Sequence, residues 1–231
     1  YLMRMLGETF SAAGNEGQAR RMYRQSLAIW DRLLSDLGEG SQAAVIYARQ
    51  GVLQSRLGNE TEAVALFDRA LEIGPNQRGP YAEILAHLVV SVPNLELAQR
   101  VLRRAQFHVN LDRQWRVYFA LWVQAIAERS SGELDAEVRE HFAVESSSES
   151  WSDQLAAFGR GELTWSALLE AASDNGERAE AAFYGAMRLL GRGESAEARR
   201  LLESVVATGM VDFYEFAMAG ALLRILDEQA P

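Results

Sequence analysis

Histidine is the side chain most ready for metal or proton chemistry, and this chain has three: His87, His108 and His141. None stands four residues from another or beside a close carboxylate pair. The H-E-x-x-H spacing that sets two imidazoles on one helical face is therefore missing. They are expected as ordinary helix histidines. There is no cysteine, hence no thiolate nucleophile and no disulfide framework, and no G-x-S-x-G elbow. The tetrapeptide Gly-Arg-Gly-Glu occurs at 159–162 and again at 191–194, and suggests a phosphate loop. Neither copy is followed by the Lys-Ser/Thr pair that such a loop needs, so both are read as turns between helices. The run Glu145 to Ser150 reads as a solvated loop, with Ser150 capping a helix that begins near Trp151 and Asp153 as its capping partner. Acidic residues are spread along the chain, and no catalytic pair can be picked from them. The expectation is a non-catalytic protein with no catalytic, metal or cofactor-binding residues and no cofactor.

That leaves binding as the chemistry, and bulk properties narrow the partner. The 231 residues are 48% hydrophobic and 24% charged, with a formal net charge of −9. Such a balance disfavours nucleic acid, whose phosphates need a basic surface. All 23 basic residues are arginine. No run of about 18 apolar residues exists, so no membrane span is expected. Other proteins or peptides are the expected partners. The chain begins at Tyr1 inside a helical pattern, which suggests a fragment lacking an N-terminal segment.

The elements that would carry a binding surface can be read from spacing. In the stretch from Val45 to Asn76, Tyr47, Gln50, Gly51 and Gln54 share a helical face. Gly58 breaks that helix, Asn59 can cap a second one with Glu62 as capping-box partner, and Ala63, Phe67 and Ala70 form its stripe before Pro75. The start repeats the pattern with Gly7, Gly14, Asn15, Gln18, Ala19, Tyr23 and Ser26, followed by an extended second helix ending near Gly38–Gly40. A third unit opens at Tyr81, turns at Pro93–Asn94 and carries Ala98, Leu102 and Ala105. A fourth turns at Gly132 and runs to about Phe142. A fifth turns at Gly161. A sixth turns at Gly193 with Ala198, Leu202 and Val205, and a last helix follows.

This arrangement resembles the tetratricopeptide repeat, a helix–turn–helix unit of about 34 residues. The expected fold is all-α: an α-solenoid of about six tetratricopeptide-like hairpins plus a C-terminal packing helix. It is expected as a single superhelical domain over 1–231, more regular over 1–110 and degenerate over 111–231. In the second half, Leu121–Trp122, Glu140–Phe142, Trp151, Phe158, Gly161, Phe183–Tyr184 and the run Phe213 to Leu223 follow an order similar to bacterial NlpI-like tetratricopeptide lipoproteins. That resemblance implies a lipid-anchored periplasmic homodimer, an adaptor that holds peptidoglycan hydrolases and presents them to a processing protease. Without it, a cytoplasmic location is expected.

In this repeat class the first helices line a concave face, and inward positions can be counted from each small residue. They are Arg4, Glu8 and Ser11 in unit one, and Ala48, Val52 and Ser55 in unit two. Unit three gives Ala82, Ala86 and Val89, and unit four Phe119, Trp122 and Ile126. Unit six gives Phe183 and Met187. Trp115, Tyr118, Phe119 and Trp122 fit two readings: groove anchors, or a core stripe at i, i+3, i+4, i+7 spacing. The Lys and Asn of a carboxylate clamp are missing from Arg4, Glu8, Ala48 and Val52, so apolar burial with scattered arginine contacts is the expected binding mode. Two alternatives remain: an accessory domain of a larger secretion machine or enzyme, and a self-assembling platform using the apolar strip Ile29, Leu33, Leu34 and Leu37.

Overall fold

A computed structural model describes residues 2–38, 40–143 and 150–228, with the side chains of 2–5 and 12 outside the description. The chain is all-α, and no strand occurs among the described residues. Helical hairpins pack on successive neighbours. In chain order the helices are α1 (Leu2–Ala12), α2 (Glu16–Leu37), α3 (Ala44–Arg56), α4 (Glu60–Ile73), α5 (Arg78–Val90), α6 (Leu95–His108) and α7 (Arg113–Ser130). There follow α8 (Ala136–Glu140), α9 (Trp151–Arg160), α10 (Trp165–Ala171), α11 (Asn175–Gly191), α12 (Ser195–Ala207) and α13 (Tyr214–Glu228). By contact density the chain divides into two compact units. One is Tyr1–Ile84 with Phe107–Val109; the other is Leu85–Gln106 with Asn110–Pro231.

In the first unit α1 packs on α2, and α3 on α4. The two hairpins are copies at the level of single contacts. A Cβ on Gly7 would lie 2.4 Å from the Tyr23 ring, and one on Gly51 2.5 Å from the Phe67 ring. Each glycine thus lets its helix lie directly on the partner's aromatic. Ala19 and Ala63 are buried beside them. The turns match as well: Ser11 Oγ donates to Glu16 Oε1 at 2.7 Å, and Ser55 Oγ to Glu60 Oε1 at 2.9 Å. Gly58 closes its turn at φ +83°, where a side chain would be strained.

Caps differ from expectation in detail. Asn15 accepts from the Gln18 amide at 3.2 Å, as a capping residue should. Asn59 does not cap: its side-chain amide donates to Gln54 Oε1 at 2.8 Å instead. Ser150 makes no side-chain cap either; its hydroxyl donates to Asp153 Oδ2 at 2.5 Å. The rest of the serine-rich run, 145–149, lies outside the described residues.

In the second unit α11 is the central element. It contacts α7, α10, α12 and α13. Everything from Ala179 to Met187 on it is buried. Its N-terminus is secured by Asp174, which accepts from the Glu177 amide at 2.9 Å. The stripe Ala198, Leu202 and Val205 of α12 is buried, and α13 packs on both α11 and α12. The two Gly-Arg-Gly-Glu runs sit at hairpin turns, with Gly161 at φ +80° and Gly193 at φ +77°.

Candidate functional site

The positions counted as a concave binding face are mostly core. Ala48 and Val52 on α3 are buried, as are Ala82, Ala86 and Val89 on α5. So are Phe119, Trp122 and Ile126 on α7, and Phe183 and Met187 on α11. This corrects the groove expectation for those ten residues. Its physical reason lies in the packing: α3 is flanked by α2 and α4, α7 by α8, α9 and α11, and α11 by four helices. Neighbouring helices cover the apolar positions that the count selects on these helices. Glu8, Ser11 and Ser55 are half-buried, and both serines are engaged by the turn glutamates. The Arg4 side chain lies outside the described residues.

The three histidines differ in placement. His87 is buried on α5, His108 is exposed at the end of α6, and buried His141 meets the Gln106 side chain.

The feature that does concentrate chemistry is a recess of about 340 Å³ in the second unit. It is lined by Trp115, Tyr118 and Trp122 of α7, Glu180 of α11, and the segment Asp212 to Glu215 that leads into α13. Helical spacing on α7 aligns the three aromatics on one face. Trp115 and Tyr214 are half-buried, while Trp122 and Tyr118 are buried. The rings form a right-angled corner. Trp115 lies 6.4 Å from Trp122 and 6.3 Å from Tyr214, both at 88°, and Trp122 lies 5.3 Å from Tyr214 at 59°. Edge-to-face contacts of this kind rigidify an aromatic wall beyond simple area burial.

Two carboxylates are buried at this wall. Glu180 accepts from the Tyr118 hydroxyl at 2.7 Å through Oε1, and from the Trp151 indole at 2.6 Å through Oε2. Gln114 Nε2 in turn donates to the Tyr118 oxygen at 2.7 Å. Glu215 accepts from the Tyr184 hydroxyl at 2.9 Å and from the Trp122 indole at 3.4 Å. It stands in the first turn of α13, where free amides favour negative charge. All these side-chain donors are neutral. No arginine among the described residues forms an ion pair with either carboxylate.

Burial therefore dominates their acidity. It pushes the Glu180 carboxyl up to about 7, helped by the neighbouring charge of Glu215 and opposed by the Trp151 and Tyr118 hydrogen bonds. Burial also raises Glu215, against hydrogen bonds from its own amide, Tyr184 and Trp122. Tyr118 and Tyr184 are held protonated far above the usual phenol range, first by burial and then by the carboxylates. They act as fixed donors.

Sequence reasoning reached Trp115, Tyr118 and Trp122 and left them open between groove and core. Trp122 and Tyr118 turn out to be core residues whose edges form the floor of a recess; Phe119 is wholly enclosed. It missed Glu180, Glu215, Tyr184 and Trp151 as a group. A signal was present: each glutamate interrupts an apolar helical run, in Ala-Glu-Ala-Ala-Phe-Tyr and Phe-Tyr-Glu-Phe-Ala.

A second recess, of about 440 Å³, brings both Gly-Arg-Gly-Glu turns together through Arg160 and Arg192. Two of its arginines, Arg160 and Arg188, serve the fold. Arg160 donates to the Phe142 carbonyl and Glu162, while Arg188 donates to the Phe158 carbonyl and pairs with Glu128 at 3.4 Å. No family model and no curated protein matches the chain.

Proposed function

We propose that the chain is a non-catalytic interaction scaffold that binds a partner protein, and that the aromatic recess of the second unit is its contact point. One observation carries this: a recess lined by half-buried Trp115 and Tyr214 beside buried Trp122, on a frame of packed helices. Large aromatics in preformed recesses are the side chains that anchor partners most strongly. A hairpin frame suits the role, since each unit is held by its neighbours and does not need to fold around a ligand.

The finer version is an envelope adaptor of the NlpI-like kind, built on tetratricopeptide units. Its support is that Trp122, Tyr184, Phe213 and Tyr214, which carry the resemblance, gather at this recess or hydrogen-bond to its carboxylates. The reading is tested by affinity capture from cell-envelope extract with the wild-type chain and a Trp115→Ala variant. A partner retained by the first and lost by the second supports it. Recovery of cytosolic proteins alone would remove the envelope version, and equal capture by both chains would remove the recess.

Self-assembly is a second reading, favoured by a separate observation. On α2, Ile29, Leu33 and Leu37 remain 51%, 37% and 45% exposed along one stripe.

A further inference from the structure

We propose that the occupant of the recess is the cationic end of a basic side chain, a lysine ammonium or an arginine guanidinium, presented by the partner protein. This rests on the scaffold reading and names the chemistry of its contact.

Three features of the recess point the same way. First, the recess is lined by half-buried Trp115 and Tyr214, whose rings carry electron-rich faces. A cation within about 6 Å of such a face gains roughly 0.5–2 kcal/mol, most over tryptophan. Second, Glu180 and Glu215 are buried at the wall, and no arginine among the described residues forms an ion pair with either. Removing carboxylates from water is costly, and neutral donors offset only part of that cost. A visiting cation supplies the compensation the chain itself leaves out. Third, exposed Asp212 stands at the same recess and adds negative charge where a basic side chain would arrive. The net charge of −9 draws basic partners over longer distances. A long basic side chain fits the shape, with its stem along Trp115 and Tyr214 and its head toward the carboxylates.

A neutral sugar ligand, the other common guest of aromatic walls, would leave the carboxylate charge uncompensated. It is an outcome of the test.

Because burial holds Glu180 near 7, a cation must displace a proton at and below neutrality, so affinity rises with pH between 6 and 8. The groups that act most on Glu180 are Glu215 on α13, Trp151 on α9, Tyr118 on α7 and Glu177 on its own helix. None of them is basic, and none supplies the opposite trend.

The test is calorimetry and tryptophan fluorescence on the full chain. The probes are capped Gly-Ser peptides with one central Lys, Arg or norleucine, and a neutral disaccharide. The expected result is saturable binding of the Lys or Arg peptide, with norleucine weaker by roughly tenfold or more. Glu180→Gln and Glu215→Gln weaken binding and flatten its pH dependence. Asp212→Asn, at an exposed site that does not endanger folding, weakens it by a smaller factor. Glu62→Gln in the first unit leaves it unchanged. Norleucine binding as tightly as lysine, or the disaccharide binding in preference to both cations, overturns the inference. So does the absence of all peptide binding in a chain that still captures its partner through Trp115. In each of those cases the scaffold reading survives; its placement of the contact at the recess fails separately if Trp115→Ala leaves partner capture intact.

Discussion

At the scale of single residues, Glu180 is where the site and the stability of the fold meet. Its carboxyl is raised from the ordinary 4.5 to about 7, so the folded chain holds this proton more tightly than the unfolded chain does. The stabilisation is complete below pH 4.5 and is lost as pH climbs to about 7. The size is about 3 kcal/mol at most, from roughly 1.4 kcal/mol per unit. Urea unfolding at pH 5 and pH 8 should therefore show the wild type weaker at pH 8. Glu180→Gln should shrink the difference, and Glu215, shifted the same way, should keep some of it alive. A wild type equally stable at both pH values, or a variant with the same slope, would refute the assignment. Gly51 gives a second test at this scale. A Cβ there would meet the Phe67 ring at 2.5 Å and the Ala63 carbonyl oxygen at 3.0 Å. Gly51→Ala should cost roughly 1–3 kcal/mol by overpacking. Gly17, on exposed helix surface with nothing within 4 Å, should accept alanine with a gain of roughly 0.5–1 kcal/mol. Matched thermal melts of the two variants would show opposite shifts.

At the scale of helices and turns, the sequence carries the hairpins almost completely and the surface hardly at all. Gly7 and Gly51, Ala19 and Ala63, and Tyr23 and Phe67 announce their pairings because close helix contact demands small residues opposite an aromatic. The same logic finds Ala198, Leu202 and Val205. Exposure is another matter. Counting from a small residue gives a face of a helix, and only the neighbours decide whether that face is covered. Val52 and Phe119, counted as inward-facing, are both buried. The recess was beyond such counting, since it joins α7, α11 and the start of α13 across about a hundred residues of chain. Side-chain caps were half legible for a related reason: a hydrogen-bonding residue at a turn has several partners in reach. Asp174 holds the Glu177 amide at 2.9 Å, so Asp174→Ala should cost about 1 kcal/mol and loosen the helix that carries Glu180. Asn59 bonds a side chain instead, so Asn59→Ala should stay within about 0.5 kcal/mol. Denaturant midpoints that reverse this order would show that the cap assignments are wrong.

At the scale of the whole molecule, the aromatic recess and the α2 stripe make separate demands. The recess lies in the second unit, and the stripe of Ile29, Leu33 and Leu37 in the first. Leucine and isoleucine one helical turn apart, left open on a 22-residue helix, make a ridge that a second copy can cover in antiparallel register. Each such side chain buried at an interface contributes on the order of 1 kcal/mol, and association itself costs several, so a pair of these stripes favours a weak, concentration-dependent dimer. Light scattering should accordingly give a mass that rises from 25.7 kDa toward twice that value with concentration. Ile29→Glu with Leu33→Glu should hold the chain at the monomer mass, because four like charges would face each other across the same ridge. Both residues are exposed, so the double variant should keep its helical circular dichroism and its Trp115-dependent partner capture. A monomer mass for the wild type at high concentration would eliminate the platform reading. Loss of partner capture in the charged variant would mean that assembly is a condition of binding.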